Sequence, residues 1–244
     1  MTSARSRHYN PGPVVHDLAQ AVRHAPARCA GDDPATPTAA QPSTSQPAAA
    51  VLTEAQLKRA FLTGAEAGQY VLKDNNTPAV RPEADRPECR ALADMTASGT
   101  GPTPQAAAYA GRSYSAKSEA GLMVTTALLS YEGEGAQQAL ADVRKAVTAC
   151  AGGFSTSGNN GGATIKYVSV RSEQVTAGGD ESTSWLMTGE ARGTRLPMHF
   201  TSVRVQNTLA VFLTLHLTDP VEAELPADLL DAQVDRVAAA LQAR

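Results

Sequence analysis

Two histidines hold the positions in this chain where residue type and spacing best suit shared chemistry, His199 and His216. Residues 196–206 and 209–218 read as strands, the second with Leu209, Val211, Leu213, Leu215 and Leu217 on one face and a mixed set on the other, and Gln206-Asn207-Thr208 supplies a turn. This pattern predicts a β-hairpin. A two-residue turn at Asn207 and Thr208 sets His199 opposite His216. Cross-strand neighbours lie about 4.5–5.5 Å apart, so the two imidazoles could share a ligand or a metal ion. That register also puts Arg204 opposite Val211, on the face lined by Leu209, Leu213, Leu215 and Leu217. A three-residue turn would separate the histidines and align Val203 and Val205 with the leucines. Ordinary strand histidines are the plainer alternative. Trp185, Phe212 and Tyr167 could line a pocket, or could simply pack in the sheet core. Trp185, His199, Phe212 and His216 are therefore the expected lining of a ligand cleft.

Other groups have a chemical role and a simpler one open to them. Glu132 and Glu134, beside Gly133 and Gly135, have the chemistry of an acid–base pair. At the start of a helix they serve equally to complement its dipole. Arg171, Arg192, Arg195 and Arg204 could form an anion site, but Asp180, Glu181 and Glu190 are interspersed and favour a solvated charged face. The run Gly158-Asn159-Asn160-Gly161-Gly162 lacks the lysine and following helix of a phosphate loop. G-x-S-x-G, S-x-x-K, H-E-x-x-H and the dinucleotide fingerprint are absent. No cofactor and no metal are expected.

The elements that must position these residues can be read from periodicity. Thr53-Glu54-Ala55-Gln56 is a capping box that opens a helix over about 54–63. Residues 69–73 form a short strand. Pro87 opens a second helix carrying Cys89, Leu92 and Met95. Residues 106–115 and 122–131 are strands, and the second is apolar on both faces, as a central strand is. A third helix over 135–150 places Ala136, Leu140, Val143 and Val147 on one stripe. Gly152-Gly153 ends it, and 155–162 read as a flexible loop. Strands at 163–175, 182–190, 196–206 and 209–218 follow. Pro226 begins a last helix with Leu230, Val234, Val237 and Leu241 as its apolar stripe. Successive strands joined by short turns predict an α+β fold, a mostly antiparallel sheet with helices packed on one face.

Composition sets the bounds. The chain has 244 residues, a formal charge of −3, 18% charged and 5% aromatic side chains. This excludes a basic nucleic-acid binder, and no apolar run reaches the roughly 18 residues of a membrane helix. Residues 30–50, AGDDPATPTAAQPSTSQPAAA, lack every large apolar side chain. They cannot bury enough surface to offset backbone ordering of about 1–2 kcal/mol per residue. Residues 1–50 are therefore expected to be a disordered tail and tether, and 51–244 one folded domain. The small-residue context of Cys29 before the tether resembles the mature start of a bacterial lipoprotein, with a lipid on that cysteine as the one membrane contact. Arg28 departs from the lipobox, and no apolar signal core precedes it. The chain as written would thus stay cytoplasmic, whereas a lipoprotein start would place it in the envelope. Cys89 and Cys150 lie on structured elements. In an exported protein they should pair and close a loop of about sixty residues, and in a reduced one they are two buried thiols.

Pro87-Glu88-Cys89, paired strands ending Ser-Tyr-Glu-Gly at 130–133, Ala149-Cys150, the single Trp185 and the lipoprotein-like tether together resemble the PknH-like extracellular sensor domain of actinobacterial lipoproteins and receptor kinases. The resemblance spans about 52–243. It implies a mixed sheet with helices, a bridging disulfide, an open cleft for an unknown ligand and an extracytoplasmic address. The expected function is a non-catalytic envelope binding or sensor module for a small molecule or envelope ligand, with no nucleic-acid partner. A carrier for an apolar molecule, or an exported hydrolase with an unrecognised site, are the alternatives.

Overall fold

The structure, a computed structural model, describes residues 51–75, 80–97, 103–158, 163–191 and 193–243. Cys29 and the whole 1–50 segment, the 159–162 loop and Arg192 lie outside the described residues.

Helix α1 (Glu54–Arg59) begins at the expected capping box: the Gln56 amide donates to Thr53 Oγ1, and Gln56 Oε1 accepts from the Thr53 amide at 2.9 Å. It stops earlier than its periodicity suggests. Gln233, from the far end of the chain, takes the Ala60 carbonyl at 2.8 Å and the Leu62 amide at 3.3 Å, diverting the backbone from a further helical turn. Strand β1 (Tyr70–Asp74) and a two-residue β2 (Glu83–Ala84) follow. A 3-10 turn at Pro87–Cys89 leads into α2 (Arg90–Met95). Next come β3 (Ala108–Ala116), β4 (Leu122–Ser130), α3 (Gly135–Ala149), β5 (Phe154–Ser157) and β6 (Ile165–Glu173). The chain ends with β7 (Glu181–Ala191), β8 (Thr194–Val205), β9 (Thr208–His216) and α4 (Ala227–Gln242).

The nine strands form one sheet in the order β1-β3-β4-β9-β8-β7-β6-β5-β2, with every neighbouring pair antiparallel. The α+β class and the antiparallel sheet are as the sequence predicts. Strand β5 lies partly in the stretch expected to be a loop. Its four residues, Phe-Ser-Thr-Ser, are too few to give a strand signal, and pairing with β6 and β2 supplies the order. Gly153 makes the passage into β5 possible. Its φ is +92°, and a Cβ there would strike the Tyr167 carbonyl.

Helices cover both faces of the sheet, not one. Helices α2 and α3 pack on the face that carries Leu129, Trp185, Phe200, Leu209 and Val211. Helices α1 and α4 pack on the face that carries Tyr114, Val124, Leu128, Val203 and Phe212. The reason is the period-two alternation of β4 and β9. Both of their faces are apolar, so both must be covered. Cys89 and Cys150 form a disulfide with their Cα atoms 5.8 Å apart, and it joins the turn before α2 to the end of α3.

Candidate functional site

The hairpin register decides what the histidines can do. The turn is Gln206–Asn207, with Gln206 at φ +52°, and Val205 pairs with Thr208. His199 therefore faces Thr214, not His216, and Arg204 faces Leu209. Both histidines stay on the α1/α4 face, offset along β9. Asn207, expected inside the turn, also donates its side-chain amide to the Tyr131 carbonyl at 2.8 Å, which pins the turn to the end of β4. Arg204 tolerates its place on the leucine-lined face because it sits at the sheet's end. There Asp180 and Glu181 receive its guanidinium at 2.9 and 3.0 Å.

The four residues expected to share a cleft are divided between two faces. Trp185 pairs with Phe200 and stacks on it, ring centroids 5.2 Å apart, wholly buried under α3. Phe212 is wholly buried on the opposite side, in the α1/α4 core. His216 sits near the end of β9, where its Nδ1 accepts from the Asp219 amide at 3.0 Å. His199 alone of the four lines a cleft.

That cleft holds about 370 Å3 and lies between β6–β8 and the segment 217–226 that leads into α4. Leu186, Val175, Leu225 and Leu230 form apolar walls, His199 and Thr201 contribute polar atoms, and Glu173, Glu222 and Glu224 supply carboxylates. Behind His199 lies a polar cluster. Ser184 Oγ is 2.8 Å from His199 Nε2, 2.8 Å from the Phe200 carbonyl and 3.1 Å from Thr201 Oγ1. The Ala223 backbone approaches the imidazole from segment 217–226. Burial holds the His199 pKa below the ordinary histidine value, outweighing the opposite pull of Glu173, Glu224, the Ala223 backbone and Glu222.

A serine hydroxyl beside an imidazole has the composition of a nucleophile and its base. Here Ser184 is only 1% exposed and does not line the cleft. The sequence reading missed it because nothing local links residues 184 and 199; only strand register does. The available signal was the alternation Ser182, Ser184, Leu186, which turns hydroxyls toward a covered sheet face.

Other expected features resolve into structural roles. Arg171 bonds Glu173 and Glu222, and Arg195 bonds Glu190, so these arginines do not gather into an anion site. Among the described residues no group of three or more His, Cys, Asp or Glu side chains is placed to hold a metal. No described helix is long and apolar enough to cross a membrane. A wider groove of about 830 Å3 runs beside the start of β3, but its charged lining is one pair, Glu54 and Lys58, bonded to each other at 2.6 Å.

No family model and no curated protein matches the chain. Among solved structures, the chain is similar to the extracellular domain of PknH from Mycobacterium tuberculosis. The two are 13% identical with a TM-score of 0.49, over 80% of this chain and 100% of that one. It is also similar to an uncharacterized protein from Mycobacterium smegmatis, 14% identical with a TM-score of 0.36, over 81% of this chain and 97% of that one.

Proposed function

We propose that this chain is a non-catalytic, extracytoplasmic binding module that receives a small ligand in the cleft over His199, with residues 1–50 as its tether and a lipid on Cys29 as its anchor. The observation that carries the reading is the cleft itself: a concave site with apolar walls and a few convergent polar groups, the usual make-up of a ligand pocket. The disulfide supports the address, because such bonds persist in oxidising compartments. The cleft is open and acidic at its rim, unlike the closed apolar cavity a lipid carrier needs. A fragment panel titrated into isotopically labelled protein tests the proposal. Shifts should cluster at Leu186, His199 and Leu230. A panel that perturbs only other surfaces, or nothing, rejects the assignment.

The contact between Ser184 and His199 favours one second reading, a hydrolase. It requires Ser184 to reach solvent. A fluorophosphonate probe followed by peptide mapping separates the two. The binding reading expects no adduct on Ser184, and a stoichiometric adduct there would establish the hydrolase.

A further inference from the structure

The charges around the cleft select among ligands. We infer that it takes a compact organic cation, an ammonium or guanidinium group on a short apolar body. This rests on the cleft being the ligand site.

Three carboxylates line the cleft, Glu173, Glu222 and Glu224, and no Lys or Arg lines it. Arg171 lies behind two of them, bonding Glu173 at 2.6 Å and Glu222 at 2.8 Å. Glu224 has no ion pair among the described residues and follows Ala223, whose backbone approaches His199. The site therefore keeps negative charge after its internal pairing. An imidazole depressed by burial stays neutral near pH 7 and leaves that charge uncompensated. An anion entering the cleft would meet repulsion with no cation to receive it.

The walls set the rest of the ligand. Leu186, Val175, Leu225 and Leu230 give one side of the cleft an apolar lining that suits methyl or methylene groups. A volume of about 370 Å3 is near the lower end of small-molecule pockets, which excludes a long acyl chain. The inner end is polar. Thr201 lines it.

The experiment is an NMR titration of the full chain with three molecules of one shape. These are choline, its neutral isostere 3,3-dimethylbutan-1-ol and the anion 3,3-dimethylbutanoate. Choline should shift the His199 ring and the Leu186 and Leu230 methyls, and bind at least about fivefold more tightly than the alcohol, with the carboxylate weakest. Its affinity should fall as salt rises. Glu224→Gln should weaken choline about tenfold, on the scale of one lost charge contact. Glu134→Gln, exposed at the start of α3 on the other face, should change nothing. Equal binding of the alcohol, tighter binding of the carboxylate, or an unchanged affinity in Glu224→Gln overturns the cation while leaving the binding module intact. If none of the three moves those signals, the cation inference falls, and the fragment panel described above judges the module separately.

Discussion

The α2–α3 layer and the α1–α4 layer cover opposite faces of the same strands, yet they are held by different forces. Under α3 the contacts are aromatic and covalent. Trp185 stacks on Phe200, Phe154 on Tyr167, and the Cys89–Cys150 bond fixes α2 to the end of α3. Under α4 the stripe Leu230, Val234, Val237 and Leu241 packs on the sheet without a crosslink, and polar side chains add to the fastening. Gln233 accepts from Tyr114 Oη at 3.1 Å while bonding the backbone at Ala60 and Leu62. Burial pushes the Tyr114 phenol up to about 12, so it remains a donor at any physiological pH. The cleft opens on this second face. A cleft of comparable volume, about 340 Å3, lies between α2 and α3, but Glu88, Arg90, Asp142 and Lys145 give its lining both signs of charge, where the charged lining of the His199 cleft is carboxylate alone.

Three experiments would break or sharpen this contrast. The largest effect belongs to the disulfide. Replacing Cys89 and Cys150 together by Ser should lower stability by about 4 kcal/mol, the loop-entropy value for a closure of about sixty residues. In thermal denaturation that is a fall of roughly 10 °C. Hydrogen exchange should show the loss concentrated in α2 and α3. Uniform loss across α4 would mean that the two layers are not independent. Next is Gln233→Ala, which leaves the Tyr114 hydroxyl, the Leu62 amide and the Ala60 carbonyl without this partner. Unfolding in denaturant should show a loss of about 2 kcal/mol. Exchange should rise in α4 and α1 while α3 stays protected. The smallest effect is pH dependence. The folded-state pKa of His199 lies below its unfolded value of 6.5, so the unfolded chain binds the proton more readily. Its contribution to stability is complete above about pH 6.5 and lost as pH falls from there toward the folded pKa. Subtracting the stability profile of His199→Gln from that of the native chain should isolate this decline. An identical profile in the variant would place it elsewhere.

Much of the architecture was legible in the chain. The capping box at Thr53, the strands around 108–116 and 122–130, the long α3 and the alternation of β9 all follow from local pattern. The pairing of Cys89 with Cys150 was anticipated on condition of export. The double covering of the sheet was implicit in the apolar faces of β4, but local pattern does not say which helix goes where. Strand β5 was hidden because its four residues are too short a run to show a pattern and are ordered by β6. The site was harder. His199 stood out as a residue type, whereas Ser184 and Glu224 did not, since a serine in a strand and a glutamate two residues before a proline carry no signal of their own. A change in the residues forming one turn moved His216 away from His199, and the alternation of side chains put Trp185 and Phe212 on opposite faces.

The sequence by itself determined the kinds of element, their order and the apolar stripes that had to be buried, because periodicity and capping act over a few neighbouring residues. Tertiary structure alone decided the strand register, the assignment of helices to faces and the meeting of Ser184, His199 and Ala223. These depend on which distant strands pair and on how loops close, and short-range preferences are nearly indifferent among such arrangements until the whole sheet is assembled.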